Sequence, residues 1–453
     1  MNVGFISLGC SKNLIDTEAA IGHFKKHNFK IVNDPAEAEI IVVNTCGFIE
    51  SAKEEAINTI LEMAEFKKGR CKYLIAMGCL VQRYYDELIK EIPEVNLFLK
   101  LDDYSELWEK IALLIEKDIV EETKVHNTAN EIKLKQLPMF NKQEYLDREL
   151  TTGNNFAYLK IGEGCSNNCT YCAIPYIRGK FVSRPMEDIL EEANLLAQKG
   201  IKELIVIAQD TTRYGEDIYG EKKLTELLTE LIKIEDIKWI RFLYAYPEGI
   251  TDELIELVKS NEKICKYFDI PIQHISNQIL KKMNRKTTKQ KITQLLEKIG
   301  REVPDAVLRT SLIVGFPGET EDDFEELYRF IQEIQFDKLG VFMYSKEEGT
   351  PAAIMENQIS TNTKKSRYNK IMKKQMEISK EEQLEKIGEV IEVLIESSSF
   401  DKSHLIGRTK QDAPDIDGLV YIKNPSKDLS LVNSIVKCKV KLVKEYDLIA
   451  ELI

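Results

Sequence analysis

Long apolar runs, histidine and positive charge are all in short supply in this 453-residue sequence. No stretch approaches the ~18 uninterrupted apolar residues of a membrane span, so no transmembrane helix is expected. The start, MNVGFISLGCSKN, reads as a buried strand and lacks the basic n-region of a secretory signal, so a cytoplasmic protein is expected. Nine cysteines are few for a disulfide scaffold in a chain of this length, and six of them stand in metal-like contexts. That usage fits a reducing compartment with thiolate ligands. Only five histidines are present, at 23, 27, 126, 274 and 404. A net charge of −12 argues against a protein that grips nucleic acid chiefly through backbone electrostatics, and a basic protein partner is better matched. There is no low-complexity segment and no repeat of solenoid period.

The chain does have a soluble globular composition, with 43% hydrophobic and 30% charged residues, and enough length for two to four domains. Residues 1–118 alternate strand and helix signals. NVGFISLG, AEIIVVNT, YLIAMG and NLFL read as strands between amphipathic helices, which predicts a doubly wound α/β domain. Residues 119–150 are polar and aperiodic and read as a linker.

From 151 to 383 the alternation resumes. Six strands (FAYLKIGEG, ELIVIAQD, WIRFLYAYP, KYFDIPIQH, VLRTSLIVGFP and KLGVFMYS) predict a partial (β/α)6 barrel, with a helix presenting Leu190, Ala193, Leu196 and Ala197 on one face. A basic helical stretch leads into 384–453, where short strands predict a small all-β barrel. In its last strand pair Val436, Cys438, Val440 and Leu442 alternate with lysines, as a half-buried strand requires.

Two sets of three cysteines carry the chemistry. Cys165, Cys169 and Cys172 lie just after the first barrel strand, on the rim where parallel barrels build their sites. A zinc site needs a fourth ligand, and no histidine lies nearby in sequence. A disulfide with a spare thiol is ill suited to the cytosol. Inert buried thiols would not be set in a loop with Gly162, Gly164, Asn167 and Asn168. An iron–sulfur cluster suits thiolates at this compact spacing better. With three protein ligands, a four-iron cluster keeps one iron open.

The spacing C-x3-C-x2-C, with Tyr171 before the last cysteine, resembles the radical S-adenosylmethionine (SAM) superfamily. The resemblance implies that SAM chelates the open iron. Cys10, Cys46 and Cys79 each follow a strand of the first domain, and carboxyl ends of neighbouring parallel strands share one crevice. A second three-thiolate site is therefore expected there. Cys71, Cys265 and Cys438 lie outside both patterns.

The pairing of the two trios resembles the methylthiotransferase family along nearly the whole chain, including a terminal barrel of TRAM type. SLGCSKNLIDTE, NTCGFIESA, GCLVQRYYDEL, IAQDTTRYG, YAYPEGI, DIPIQHIS, GFPGET and YSKEEGTPA are similar to its branch acting on ribosomal protein S-twelve of the small subunit. Ser11 stands where that branch often has proline. The resemblance implies two 4Fe-4S clusters, one on each trio, and transfer of a methylthio group to the β-carbon of an aspartate. Its partners would be S-twelve, free or on the ribosome, an electron donor and a sulfur source. No membrane is implied, and direct RNA binding is not favoured.

Beyond the clusters no catalytic side chain is singled out. For SAM, the barrel rim offers Tyr171, Gln209 with Asp210, Gln273, His274, Arg309, Ser311, Gly315 and Phe342. Each also has an ordinary structural role, His274 as a buried hydrogen-bonder and GFPGET as a plain turn.

Two other functions compete: a transfer-RNA adenosine methylthiotransferase with the same chemistry, and a non-enzymatic iron–sulfur carrier. From Glu389 to Ile453 there are eleven acidic and nine basic residues, a balance that leans towards a basic protein substrate. The basic run 364–374 pulls the other way, though such runs are usually solvated helix faces.

Overall fold

The computed structural model describes residues 1–122 and 142–453, so most of the expected linker, 123–141, lies outside the described residues. The chain divides into two compact units, Met1–Thr151 with Ala173–Lys180, and Thr152–Cys172 with Phe181–Ile453.

In the first unit, β1 (Asn2–Ser7), β2 (Lys30–Val32), β3 (Ile40–Thr45), β4 (Tyr73–Gly78) and β5 (Leu97–Leu99) form one parallel sheet in the order β2-β1-β3-β4-β5. Every residue of β3 and β4 is buried because helices cover both faces. Alternate side chains go to opposite layers. Ile40 and Val42 pack with Phe24 of α1 (Ser11–Lys26) and Ile111 of α4 (Leu107–Glu122). Ile41 and Val43 pack with Ile60 of α2 (Glu50–Ala64) and Leu88 of α3 (Cys79–Glu91). This is the expected doubly wound arrangement. The edge strand β2 has three residues and no apolar run, so it left no signal in the sequence.

The end of the expected linker is ordered. It contains α5 (Lys142–Asp147), and Arg148 pairs with Glu18 of α1 at 2.7 Å, both side chains fully buried. The short helix α6 (Ile174–Arg178) also belongs to this unit, although it follows the second cysteine trio directly in sequence.

The second unit contains the six expected parallel strands: β6 (Phe156–Lys160), β9 (Glu203–Ile207), β10 (Trp239–Phe242), β11 (Tyr267–Asp269), β12 (Val307–Val314) and β13 (Lys338–Met343). They form two ladders, β10-β9-β6 and β11-β12-β13. A small antiparallel pair, β7 (Gly162–Glu163) and β8 (Val182–Ser183), brackets the cysteine loop. The covering helices are α7 (Met186–Gln198), α8 (Leu224–Ile232), α9 (Asp252–Ser260), α10 (Asn277–Lys282), α11 (Lys289–Glu302), α12 (Glu321–Ile334) and α13 (Thr361–Glu385). On α7 the buried face is Ile189, Ala193, Leu196 and Ala197, with Leu190 only half-buried. Glu192 lies on that same face, paired with buried Arg184 at 2.6 Å, so a count of apolar residues misplaced the face by one position.

The tail closes as a five-stranded barrel of β14 (Val390–Ser398), β15 (His404–Arg408), β16 (Val420–Lys423), β17 (Ile435–Val443) and β18 (Leu448–Leu452). Cys438 and Val440 are fully buried inside it, but Leu442 is 60% exposed. A bulge between Val440 and Leu442 shifts the register, and one inserted residue turns the next side chain to the other face.

Arg408 at the end of β15 and the residues between β15 and β16 bind side chains of the parallel strands, most of them at the amino-terminal ends. Arg408 donates to Glu203 at 2.7 Å, Tyr267 to Asp417 at 2.6 Å, Lys338 to Asp412 at 2.8 Å and Tyr158 to Asp415 at 3.1 Å. The tail barrel thus floors the partial barrel at the end away from its loops, where residues of a parallel barrel serve stability. No helix among the described residues is long and apolar enough to cross a membrane.

Candidate iron–sulfur and SAM sites

In the first unit, the three predicted cysteines stand at carboxyl ends of adjacent strands. Cys10 caps α1, Cys79 is the first residue of α3, and Cys46 lies between β3 and α2. Helix amino termini present free N–H groups and a positive dipole end, which favour thiolate and other anions.

Glycines let the three segments close up. Gly9 has φ +88°, and a Cβ there would lie 2.8 Å from the Cys46 Cβ and 3.1 Å from its Sγ. A Cβ on Gly47 would lie 2.7 Å from the Leu80 Cα, beside Cys79. Asn13 ties the segments together: its Nδ2 donates to the carbonyls of Leu8 (3.1 Å) and Thr45 (2.9 Å), and its Oδ1 accepts from the Cys79 thiol at 3.5 Å. Arg178, 4% exposed, donates through Nε to the Cys79 Sγ at 3.2 Å and through Nη2 to Asp16 at 3.0 Å. Burial pushes the Cys79 thiol up to about 12, with Arg178 opposing. Burial also raises Cys46, and neighbouring Cys10 adds to it.

The second trio sits in a loop held from several sides within its unit. Asn167 donates to Asp210 at 2.7 Å, and its carbonyl oxygen accepts from Arg213 at 3.2 Å. The Thr170 amide donates to the Met283 carbonyl at 3.1 Å, and Asn284 donates to the Asn168 carbonyl at 2.9 Å. Asn168 adopts φ +53° and Gly164 φ +73°, which bend the loop. Cys165 and Cys169 are buried and Cys172 is half-buried. Burial raises the Cys165 thiol to about 11. The Tyr246 hydroxyl lies 3.6 Å from the Cys169 Sγ. Arg285, 6% exposed, stacks over the Tyr246 ring at 4.1 Å and donates to the Pro271 carbonyl at 2.9 Å. Its Nε and Nη1 have no hydrogen-bond partner. Arg285 also lines a cavity of about 190 Å³, together with Asn167, Cys169, Asp210 and Tyr246.

No group of three His, Cys, Asp or Glu side chains among the described residues is arranged to hold a single metal ion. Both sites are instead sets of thiols at loop ends, a donor set that suits an iron–sulfur cluster.

The predicted SAM contacts separate into two groups. The Gln209 Nε2 donates to Glu163 at 2.5 Å, while its buried Oε1 has no partner. Phe342, 51% exposed, lies beside Gly340, and Ser311 faces Gly340 across the β12–β13 ladder, so these residues form an open ledge. Gln273, four residues past β11, adopts φ +69°, an uncommon conformation for a non-glycine residue, and forms an isolated bridge to Leu312. Tyr171 packs against the apolar cluster that includes Met283, Phe316 and Tyr344, and burial beside Cys169 pushes its hydroxyl well above the usual range.

The others point elsewhere. Arg309 is bound to Asp269 at 2.6 Å, near the floor. Its place as the third residue of an eight-residue strand puts it low in the barrel. His274 is fully buried, accepts from the Ser276 amide at 3.0 Å and faces Glu319 at 3.9 Å. Glu319 in turn accepts from the amides of Gly315 and Phe316, and a Cβ on Gly315 would meet Lys364 of α13. His274 and Gly315 therefore belong to a buried knot that fixes the turn.

The sequence reading missed Arg178, Asn13, Glu163 and Arg285. Glu163, which accepts from Lys160 at 3.0 Å and from Gln209, lies two residues before Cys165 and was the most accessible of the four.

A parallel partial barrel carrying C-x3-C-x2-C after its first strand, with polar groups left unpaired around it, defines a radical SAM enzyme. Residues 159–331 match the radical SAM superfamily, 2–100 the uncharacterized protein family UPF0004 and 387–453 the TRAM domain. The first two imply SAM and iron–sulfur clusters.

The chain is 59% identical over 452 residues to the ribosomal protein uS12 methylthiotransferase RimO of Alkaliphilus oremlandii, covering 100% of this chain and 99% of the relative. Identity to the proteins of that name from Acetivibrio thermocellus and Clostridioides difficile is 52% and 49%, covering 100% of this chain in both cases and 98% and 99% of the relatives. Among solved structures, the radical SAM methyltransferase TsrM of Kitasatospora setae, with cobalamin and a [4Fe-4S] cluster bound, matches with a TM-score of 0.55 at 14% identity, covering 78% of this chain and 74% of that one. At that identity the likeness is one of fold.

The chain belongs to the RimO family of ribosomal protein uS12 methylthiotransferases.

Proposed function

We propose that this enzyme adds a methylthio group to the β-carbon of an aspartate of uS12, using two 4Fe-4S clusters, one on Cys10, Cys46 and Cys79 and one on Cys165, Cys169 and Cys172. The observation that carries the reading is the first site. Three strand-end cysteines converge where a single methyl group on Gly9 would strike Cys46, a cradle that a protein with only the superfamily chemistry has no use for. The domain limits that go with this reading are 1–118, 151–383 and 384–453, with 119–150 as linker, and its setting is the cytoplasm. An electron donor and a sulfur source complete the reaction.

The β-C–H bond of aspartate is only very weakly acidic, and replacing it by a bond to thiolate-level sulfur is an oxidation that side-chain acids and bases cannot perform; the bound clusters with SAM would supply the radical and sulfur chemistry it needs. The protein binds, orients and shields. Arg285, with two unpaired guanidinium nitrogens beside Cys169, is set to take the carboxylate of SAM, since a buried charged donor gains most from an anionic partner. Gln209 and Glu163 are set to receive its amino group. Phe342 and Ser311 line the open ledge that suits the nucleoside.

The test is anaerobic reconstitution followed by incubation with SAM, reductant, a sulfide source and either uS12 or an anticodon-stem RNA. Mass spectrometry should show a methylthio adduct on uS12 and 5′-deoxyadenosine as co-product. An adduct on the RNA alone would overturn the substrate assignment, and absence of 5′-deoxyadenosine the enzymatic one.

A further inference from the structure

Arg178 belongs to neither cysteine pattern, and the chemistry above does not use it. It is nevertheless the cation that bears on both Cys46 and Cys79, and its Nε–H points at the Cys79 sulfur at 3.2 Å. Its Nη2 reaches Asn13 Oδ1 at 2.5 Å and Asp16 Oδ2 at 3.0 Å, which fixes the plane of the guanidinium. Asn13 is the same residue that ties the Leu8 and Thr45 carbonyls ahead of Cys10 and Cys46. A buried ion pair formed only to dock α6 would need the Asp16 contact alone. Here a separate N–H of the same group is spent on a ligand sulfur.

We propose that Arg178 is a positioning and charge-compensating residue of the Cys10/Cys46/Cys79 site, and that it raises the reduction potential of the cluster held there. This rests on reading that trio as a cluster site. Guanidinium stays protonated at any working pH, so its charge is constant. Reduction adds a negative charge to the cluster. A fixed positive charge and an N–H···S hydrogen bond stabilise that state over the oxidised one, and hydrogen bonds to sulfur are among the levers that set such potentials. The residue reaches the site because Ala173–Lys180 packs in the first unit. A stretch that follows Cys172 directly in sequence thus provides the cation of the other trio.

The experiment uses the full chain with Cys165, Cys169 and Cys172 replaced by Ala, reconstituted anaerobically so that only the first cluster forms. Iron per chain is measured, and the cluster is titrated by electron paramagnetic resonance against a set potential. In this background Arg178→Gln should make the cluster harder to reduce by about tenfold in the reduced-to-oxidised ratio, about 59 mV for one electron. Arg178→Lys, which keeps the charge, should recover most of that shift.

A background that holds no iron, with Arg178 intact, would overturn the cluster reading itself. Iron present and an unshifted Arg178→Gln titration would overturn the role of Arg178, as would equal shifts in the Gln and Lys variants. If the Gln variant loads no iron, loading of the Lys variant supports the proposal. Failure of both variants overturns the proposal: with lowered thermal melts it assigns Arg178 to packing, and with parent-like melts it shows that restoring the charge does not restore the site.

Discussion

Gly9→Ala isolates the geometric demand of the first cysteine site. The substitution has two costs. At φ +88° an alanine is in the left-handed region, which disfavours L-residues by roughly 1–2 kcal/mol. Its Cβ would also stand 2.8 Å from the Cys46 Cβ, well inside ordinary contact of about 3.4 Å or more, so Cys46 must move by some tenths of an ångström. Ligand distances at a metal site tolerate only ~0.2 Å, and disturbing the groups that orient a ligand typically lowers metal affinity ~10–100-fold.

Gly388→Ala provides the control, because Gly388 has φ +91° and a Cβ added there would meet nothing within 4 Å. Both variants should lose similar amounts of stability from the backbone, but only Gly9→Ala should lose iron. Reconstituted Gly9→Ala should carry about half the parent's iron, and the remaining cluster should still bind SAM. If Gly9→Ala loads to the same level as Gly388→Ala, the convergence of Cys10 and Cys46 on one cluster is refuted.

Three further outcomes follow from the second unit. Arg285→Gln should weaken SAM binding by about 2–3 kcal/mol, the usual worth of a hydrogen bond to a charged group, with iron content unchanged; calorimetric titration of the loaded protein checks this. Arg408→Met removes the cation that joins Glu203 and Glu396 in the floor and should cost about 3–5 kcal/mol in urea unfolding, as breaking a buried pair usually does. Glu382 is raised to about 7 by burial, with Asp337 adding to the effect. Its folded value lies above its ordinary 4.5, so the native state loses stability as pH rises from about 4.5 through 7. Glu382→Gln should therefore melt higher than the parent at pH 8, by about 1–3 kcal/mol of stability, and the same as the parent at pH 4.5.

The sequence was most informative where one local signal determines the outcome. Buried strands such as IIVVNT and YLIAMG begin with apolar runs because helices cover both faces, and their carboxyl ends then place Cys46 and Cys79 without further information. The cysteine spacing of the second site is local in the same sense. What depends on a distant partner was lost. Leu190 was expected on the buried face of α7, which instead carries Ile189 and the Glu192 paired with Arg184, and Leu442 looked buried until the bulge turned it out. Arg178 and Asn13 lie 165 positions apart and meet only in the folded unit. His274 and Arg309 have the polar character of ligands, but the sequence does not show that the Ser276 amide occupies the His274 Nδ1 or that Asp269 binds Arg309.

The same limit applies to the charge of the tail barrel, whose eleven acidic and nine basic residues leaned towards a basic protein partner. In the structure, four of those acids are occupied within the unit: Asp412, Asp415 and Asp417 bind Lys338, Tyr158 and Tyr267, and Glu396 binds Arg408. Among the bases, Arg408 binds Glu203, and Lys410 donates to the Glu262 carbonyl and accepts from Arg241 through its own carbonyl. Seven acids and seven bases then remain on the rest of the barrel, a balance with no sign to attract either a basic protein or RNA. Net charge is a property of the whole segment, whereas docking depends on the part left facing solvent. The acidic excess is what joins the tail to the strand ends beneath the site. The assignment of uS12 as substrate therefore stands on similarity along the full chain, and the tail barrel's acids are explained by the floor they build.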